Sequence, residues 1–80
     1  MENLGIDFVA ESSEGLSYYQ VASTVRDNSV LKRELTPMQM IHDHYPKMLL
    51  TLDDDPPSEY NGIRKRNALE WLVENWEYRV

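Results

Sequence analysis

Eighty residues with a formal net charge of −6 make one small domain. At this length only ~60–65% of the unfolded surface can be buried, so packing with another chain is a natural support. Eight Lys and Arg against fourteen Asp and Glu leave no basic footprint, which argues against nucleic-acid binding by the isolated chain. There is no cysteine, hence no disulfide and no thiolate metal site, and no apolar run approaches the ~20 residues of a membrane span. With no basic, apolar leader either, the expectation is a soluble cytoplasmic protein.

Taken in order, the chain opens on two β-rich runs, residues 5–10 and 16–23, flanking a polar turn of Ser12, Ser13, Glu14 and Gly15. If the loop holds two or four residues centred on Ser13-Glu14, positions summing to 27 face each other. Val9 then meets Tyr18, Phe8 meets Tyr19, and Asp7 meets Gln20. One sheet face carries Gly5, Asp7, Val9, Tyr18, Gln20 and Ala22. The other carries Leu4, Ile6, Phe8, Tyr19 and Val21, an apolar face suited to a core. A three-residue loop would slip the register by one and part Asp7 from Gln20.

After the hairpin, Asp27 or Asn28 offers an N-cap. Val30, Leu31, Leu35, Met38, Ile41 and Tyr45 then recur at helical spacing, predicting an amphipathic helix that ends by Tyr45-Pro46. Pro37 predicts a kink, or two helices meeting near Thr36, since proline lacks a backbone donor and crowds the preceding turn. Residues 47–52, KMLLTL, are short, apolar and without alternation, as in a strand buried on both faces. Strand, helix, buried strand is the βαβ order. Residues 53–60 form an acidic, proline-marked loop, Asn61-Gly62 a tight turn, and Ile63 to Arg66 a brief strand. Asn67 and Glu70 match a capping box before a final helix, with Leu69, Leu72, Val73 and Trp76 on its buried face and Trp71 at a rim or interface. The fold class is α/β, one domain over residues 1–80 with an N-terminal hairpin, a crossover helix, a buried third strand and a C-terminal helix.

The stretches IDFVAE, YYQVAST, KREL, YPKMLLTLDDD and YNGIRKRNALEWL resemble the C-terminal portion of a family of bacterial and archaeal AAA-type ATPases. There a P-loop module precedes a domain related to the PD-(D/E)XK nucleases. The resemblance runs over roughly residues 5–73. It implies a partial restriction-endonuclease-like core in which Asp7 matches the motif's Asp and Gln20 its Glu/Gln. Ala22 falls where the motif has Lys. In that chemistry the two side chains converge on Mg²⁺ or Mn²⁺, which polarises the scissile phosphate, and the Lys steadies developing charge. A methyl at Ala22 cannot do so, and Lys32 and Lys47 are the candidates for a recruited amine. The family's phosphate-cradling Gly-rich loop is absent, the glycines standing at 5, 15 and 62. The resembling domains also open with a helix and a strand before the Asp strand, and four residues precede Gly5 here.

The remaining polar clusters each carry a sharp and a bland reading. Glu34 either faces the Asp7 site or is a solvated helical carboxylate. His42-Asp43-His44 lacks the i, i+4 spacing of helical zinc ligands and reads as a polar helix end. Asp53-Asp54-Asp55 lacks the alternation of a calcium loop and reads as solvated. Arg64-Lys65-Arg66 reads as an exposed edge strand guarded by charge. The expectation is therefore a non-enzymatic interaction module, requiring no cofactor, that docks to a second copy or to an ATPase module. The alternative is a metal-dependent or degenerate nuclease with Asp7 and Gln20 on the ion.

Overall fold

The computed structural model describes residues 5–76, Trp76 by its backbone alone. The order of elements is β1 (Phe8–Ser12), β2 (Gly15–Ala22), α1 (Asn28–Gln39), β3 (Lys47–Thr51), β4 (Ser58–Tyr60), β5 (Ile63–Asn67) and α2 (Ala68–Trp76). The strands form one mixed sheet in the order β1-β2-β3-β5-β4. β1 and β4 are its antiparallel edges, and β2, β3 and β5 run parallel through its centre. The chain is α/β, as its pattern predicts. Among the described residues no helix is long and apolar enough to cross a membrane.

The hairpin has the two-residue loop and the register predicted for it, Phe8 opposite Tyr19 and Val9 opposite Tyr18. Gly15 follows the loop with a positive φ of 122°, and any Cβ there would run into the Tyr45 ring. Glycine is required on both counts. The second hairpin turns on Asn61 and Gly62, both at positive φ, as a tight two-residue connection demands. It adds β4, which lies at the end of the stretch read as loop.

Asp27 caps α1, its carboxylate accepting from the Ser29 amide at 2.8 Å. Two expectations for this helix are corrected: it ends at Gln39 rather than near Tyr45, and it is one helix rather than two meeting near Thr36, with Pro37 in its last turn. Proline there removes one helical donor, the one that would serve the Arg33 carbonyl, and only two helical residues follow it. Thr36 is no N-cap; its hydroxyl donates to the Lys32 carbonyl at 2.7 Å. Ile41 and Tyr45 keep the helical spacing while standing in the loop that leads to β3.

α1 crosses the face of Tyr18, Gln20 and Ala22. The core there is Val25, Leu35, Met38, Leu49 and Ile63, with Ile6, Tyr18 and Ala22 packed against it. The core therefore lies on the opposite face of β2 from the one predicted. Phe8 and Val21, expected inside, are 48% and 45% exposed. Crossover direction, rather than the content of one strand, selects the covered face. Ile6 escapes the alternation because it precedes the first paired residue of β1, and Leu4 lies outside the described residues.

The last helix is also turned about. Leu69, Leu72 and Val73 point away from the sheet, while Trp71 faces it and meets the Tyr19 ring at 5.4 Å between centroids. Tyr19 in turn stacks on Phe8 at 5.2 Å. The predicted core position of the Trp76 side chain lies outside the described residues. Asn67 does cap this helix, its side-chain oxygen accepting from the Glu70 amide at 3.0 Å. β5 is not an edge. It sits between β3 and β4, and the Lys65 side chain is buried within the sheet.

Candidate functional site

Asp7 and Gln20 do meet. Gln20 projects from β2 into the core, 3% exposed, with its amide oxygen 2.7 Å from the Asp7 backbone N–H. Its amide nitrogen donates to the Glu34 carbonyl on α1 at 3.2 Å. Asp7 stands one residue before β1, and its Oδ2 accepts from the Val21 N–H at 2.8 Å. This carboxylate stands in for the strand that would otherwise pair with the far end of β2. The two side chains thus bond backbone groups where β1 begins and where α1 passes. The arrangement pins the incoming chain, β2 and α1 together. Ala22 turns its methyl to the core beside Thr51. Glu34 contributes its carbonyl to Gln20 and is half-buried.

Neither of the proposed lysines stands beside this pair. Lys32 is exposed on α1. Lys47 is buried at the start of β3, where its ammonium donates to Asp43 Oδ1 at 2.9 Å, the Asp43 carbonyl at 3.0 Å and the Tyr45 carbonyl at 3.0 Å. The lysine that shares the cross-sheet row of Gln20 is Lys65, with Leu49 between them. Two strand spacings make that separation about 10 Å between backbones. Its ammonium lies 3.6 Å from Asp55 Oδ2.

The stretch His42-Asp43-His44 is loop, and its chemistry belongs to Asp43. The Tyr18 hydroxyl donates to Asp43 Oδ2 at 2.6 Å, and the Tyr45 amide and Lys47 ammonium both reach Oδ1. These bonds, the Tyr18 hydroxyl first and Lys47 next, hold the Asp43 carboxyl down at about 2. The same carboxylate raises the Tyr18 phenol above its usual range, as it accepts that proton and repels the phenolate. A cavity of about 570 Å³ opens here, lined among others by Met38, Asp43, Lys47, Asn61 and Ile63. It lies at the amino ends of β3 and β5, whereas ligands of parallel sheets collect at the carboxyl ends. Lys47 has all three donors engaged, so the cluster clamps the loop and presents no unmet charge. The i, i+4 spacing of Asp43 and Lys47 is its one sequence signal, shared by many pairs that never touch.

At the carboxyl ends of the strands the acidic run divides in two. Asp53 is buried rather than solvated. Its Oδ2 accepts from the Val25 amide at 3.0 Å, its carbonyl takes the Asn67 side-chain amide at 3.0 Å, and its own N–H meets Thr51 Oγ at 3.2 Å. Hydrogen bonds from the Thr24 hydroxyl and the Val25 amide hold its carboxyl below the ordinary range. Asp53 thus ties the exits of β2, β3 and β5 together. Asp54 and Asp55 are exposed, with Asp55 3.5 Å from Arg26. Among the described residues no three His, Asp or Glu side chains are arranged to hold a metal ion.

Among the described residues, the outer side of α2 presents the most exposed run of large apolar side chains on one helix. Leu69 and Val73 are 63% and 66% exposed on adjacent turns, with Leu72 beside them. They border a groove of about 590 Å³ shared with Pro57, Arg66, Glu70 and Glu74. Arg66 grips Glu74 through two hydrogen bonds, 3.1 and 2.7 Å, and so anchors α2 to β5.

No family model and no solved structure matches the chain. It is 28% identical over 74 residues, 92% of its length, to an uncharacterised protein of Haemophilus influenzae. The match spans 18% of that relative, so the chain covers less than a fifth of it.

Proposed function

We propose that the chain is a non-enzymatic interaction module that docks to a second copy or to a partner bearing an ATPase module. The reading rests on the resemblance to the C-terminal domains of AAA-type ATPases, and a cytoplasmic setting, suggested by the absence of cysteine, belongs to it. One observation carries it: the apolar stripe of α2 faces solvent while the polar clusters are consumed in holding the fold. A helix apolar on both sides belongs against protein on both sides. The relative supports the same view, since there the matching segment accompanies much more chain. A photo-crosslinker at position 72, in place of Leu72, tests it in the cells that make the protein. Adducts sequenced as this chain or as a P-loop protein are expected. Uncrosslinked protein under these conditions would sink the reading.

A second reading, a metal-dependent nuclease of the PD-(D/E)XK type or a degenerate descendant, is favoured by the meeting of Asp7 and Gln20. Against it stand the backbone bonds that both side chains already make and the methyl of Ala22. Titration of isotope-labelled protein with Mg²⁺ and then Mn²⁺ discriminates. Saturable amide shifts and Mn²⁺ broadening centred on Asp7 and Gln20, abolished by Asp7→Ala, would favour the nuclease. A uniform, weak response would leave the pair as a sheet contact.

A further inference from the structure

We infer that the outer face of α2 receives an amphipathic helix whose apolar stripe is flanked by Lys or Arg, contributed by a polypeptide other than a second copy of this chain. The inference rests on the interaction-module reading and names the chemistry of the partner. Leu69, Leu72 and Val73 stand at i, i+3 and i+4, the spacing with which one helix packs against another. The groove beside Leu69 and Val73 is closed on its far side by Pro57 and the end of β5 at Arg66.

Charge selects the occupant. The groove's ionised groups are Glu70, Glu74 and Arg66, and Arg66 is engaged with Glu74. The balance is negative, with Asp54 exposed in the neighbouring loop and −6 on the chain as a whole. A basic flank on the incoming helix is complementary to that surface, and an acidic one is repelled. A second copy lacks such an element among the described residues. Its basic helix, α1, buries Leu35 and Met38 and shows Lys32 and Arg33 on a polar outer side. Its apolar outer helix, α2, carries acids at its own rim and would bring like charge to like.

The test uses the intact protein, isotope-labelled, and two synthetic helical peptides with the same leucine stripe, one flanked by Lys and the other by Glu. A Lys-rich peptide with the stripe scrambled controls for attraction to net charge. Amide shifts should gather on Leu69 to Val73, with the Lys-flanked peptide about tenfold tighter than the Glu-flanked one at low salt. Added salt should narrow that gap by screening. The double variant Leu69→Asp, Val73→Asp should lose at least about tenfold in affinity, and Glu70→Lys should reduce the preference. Met40→Asp, at an exposed apolar position following α1, should leave binding unchanged. Equal affinity for both peptides, binding by the scrambled control alone, shifts centred on Phe8 and Val21, or self-association through α2 would each overturn the inference. Crosslinks from position 72 reporting a docked partner alongside any of these would leave the broader interaction reading standing.

Discussion

Gln20 shows how a residue can look catalytic in sequence and be architectural in the fold. A buried amide with one acceptor and one donor aimed at two separate backbone groups is the least replaceable kind of polar side chain. Gln20→Leu takes the partner from the Asp7 N–H and the side-chain donor from the Glu34 carbonyl, and the expected loss is about 1–3 kcal/mol in urea unfolding. A loss under about 0.5 kcal/mol would show that water replaces both bonds. Asp43 gives a pH signature. Its folded value of about 2 lies below an unfolded value near ~4, so its contribution is complete above pH ~4 and disappears as pH falls through about 2. The stability gap between the parent chain and Asp43→Asn should accordingly be open at neutral pH and close between pH ~4 and ~2. A gap constant across that window would contradict the clamp formed by Tyr18, Asp43 and Lys47.

At the scale of elements, α2 is the test case. Its apolar positions were legible, since Leu69, Leu72 and Val73 recur at helical spacing, but which way the helix rolls was not. The roll is set by Trp71 against Tyr19, which is distant in the chain, and by Arg66 on Glu74. Leu69→Gln and Val73→Gln should therefore change stability by no more than about 0.5 kcal/mol each. Leu49→Ala, at a fully buried position of β3, should cost about 2–5 kcal/mol. Calorimetry that found the α2 changes as costly as the β3 change would mean the stripe is internal. The roll of α1 follows a related logic. The pattern named Leu35 and Met38 as core correctly, yet it could not see that the chain leaves the helix at Gln39 and that Asp43 then meets the Tyr18 hydroxyl, 25 residues away.

For the molecule as a whole, the sheet order predicts a gradient of protection. β3 is bordered by β2 and β5 and lies under α1, while β1 is an edge whose five residues are all exposed. Hydrogen exchange should be slowest at the amides of β3, intermediate in β2 and β5, and fastest in β1 and β4. Protection in β1 equal to that in β3 would indicate that something covers the edge in solution.

By itself the sequence determined the α/β class, the βαβ order, the Asn67 cap and the Asn61-Gly62 turn, and it narrowed the hairpin register and the first helix cap to two choices each. These are local matters of propensity, period and turn geometry, settled within a few residues of chain. Only the tertiary structure decided which face of β2 is covered, where α1 stops, that β5 is interior, and that the stripe on α2 faces outward. It likewise decided that Asp53 is buried, because its partners Val25 and Asn67 lie 28 and 14 residues away. Each of these depends on the side to which a connection crosses or on a hydrogen bond between distant segments. A residue's neighbours in the chain carry no information about either.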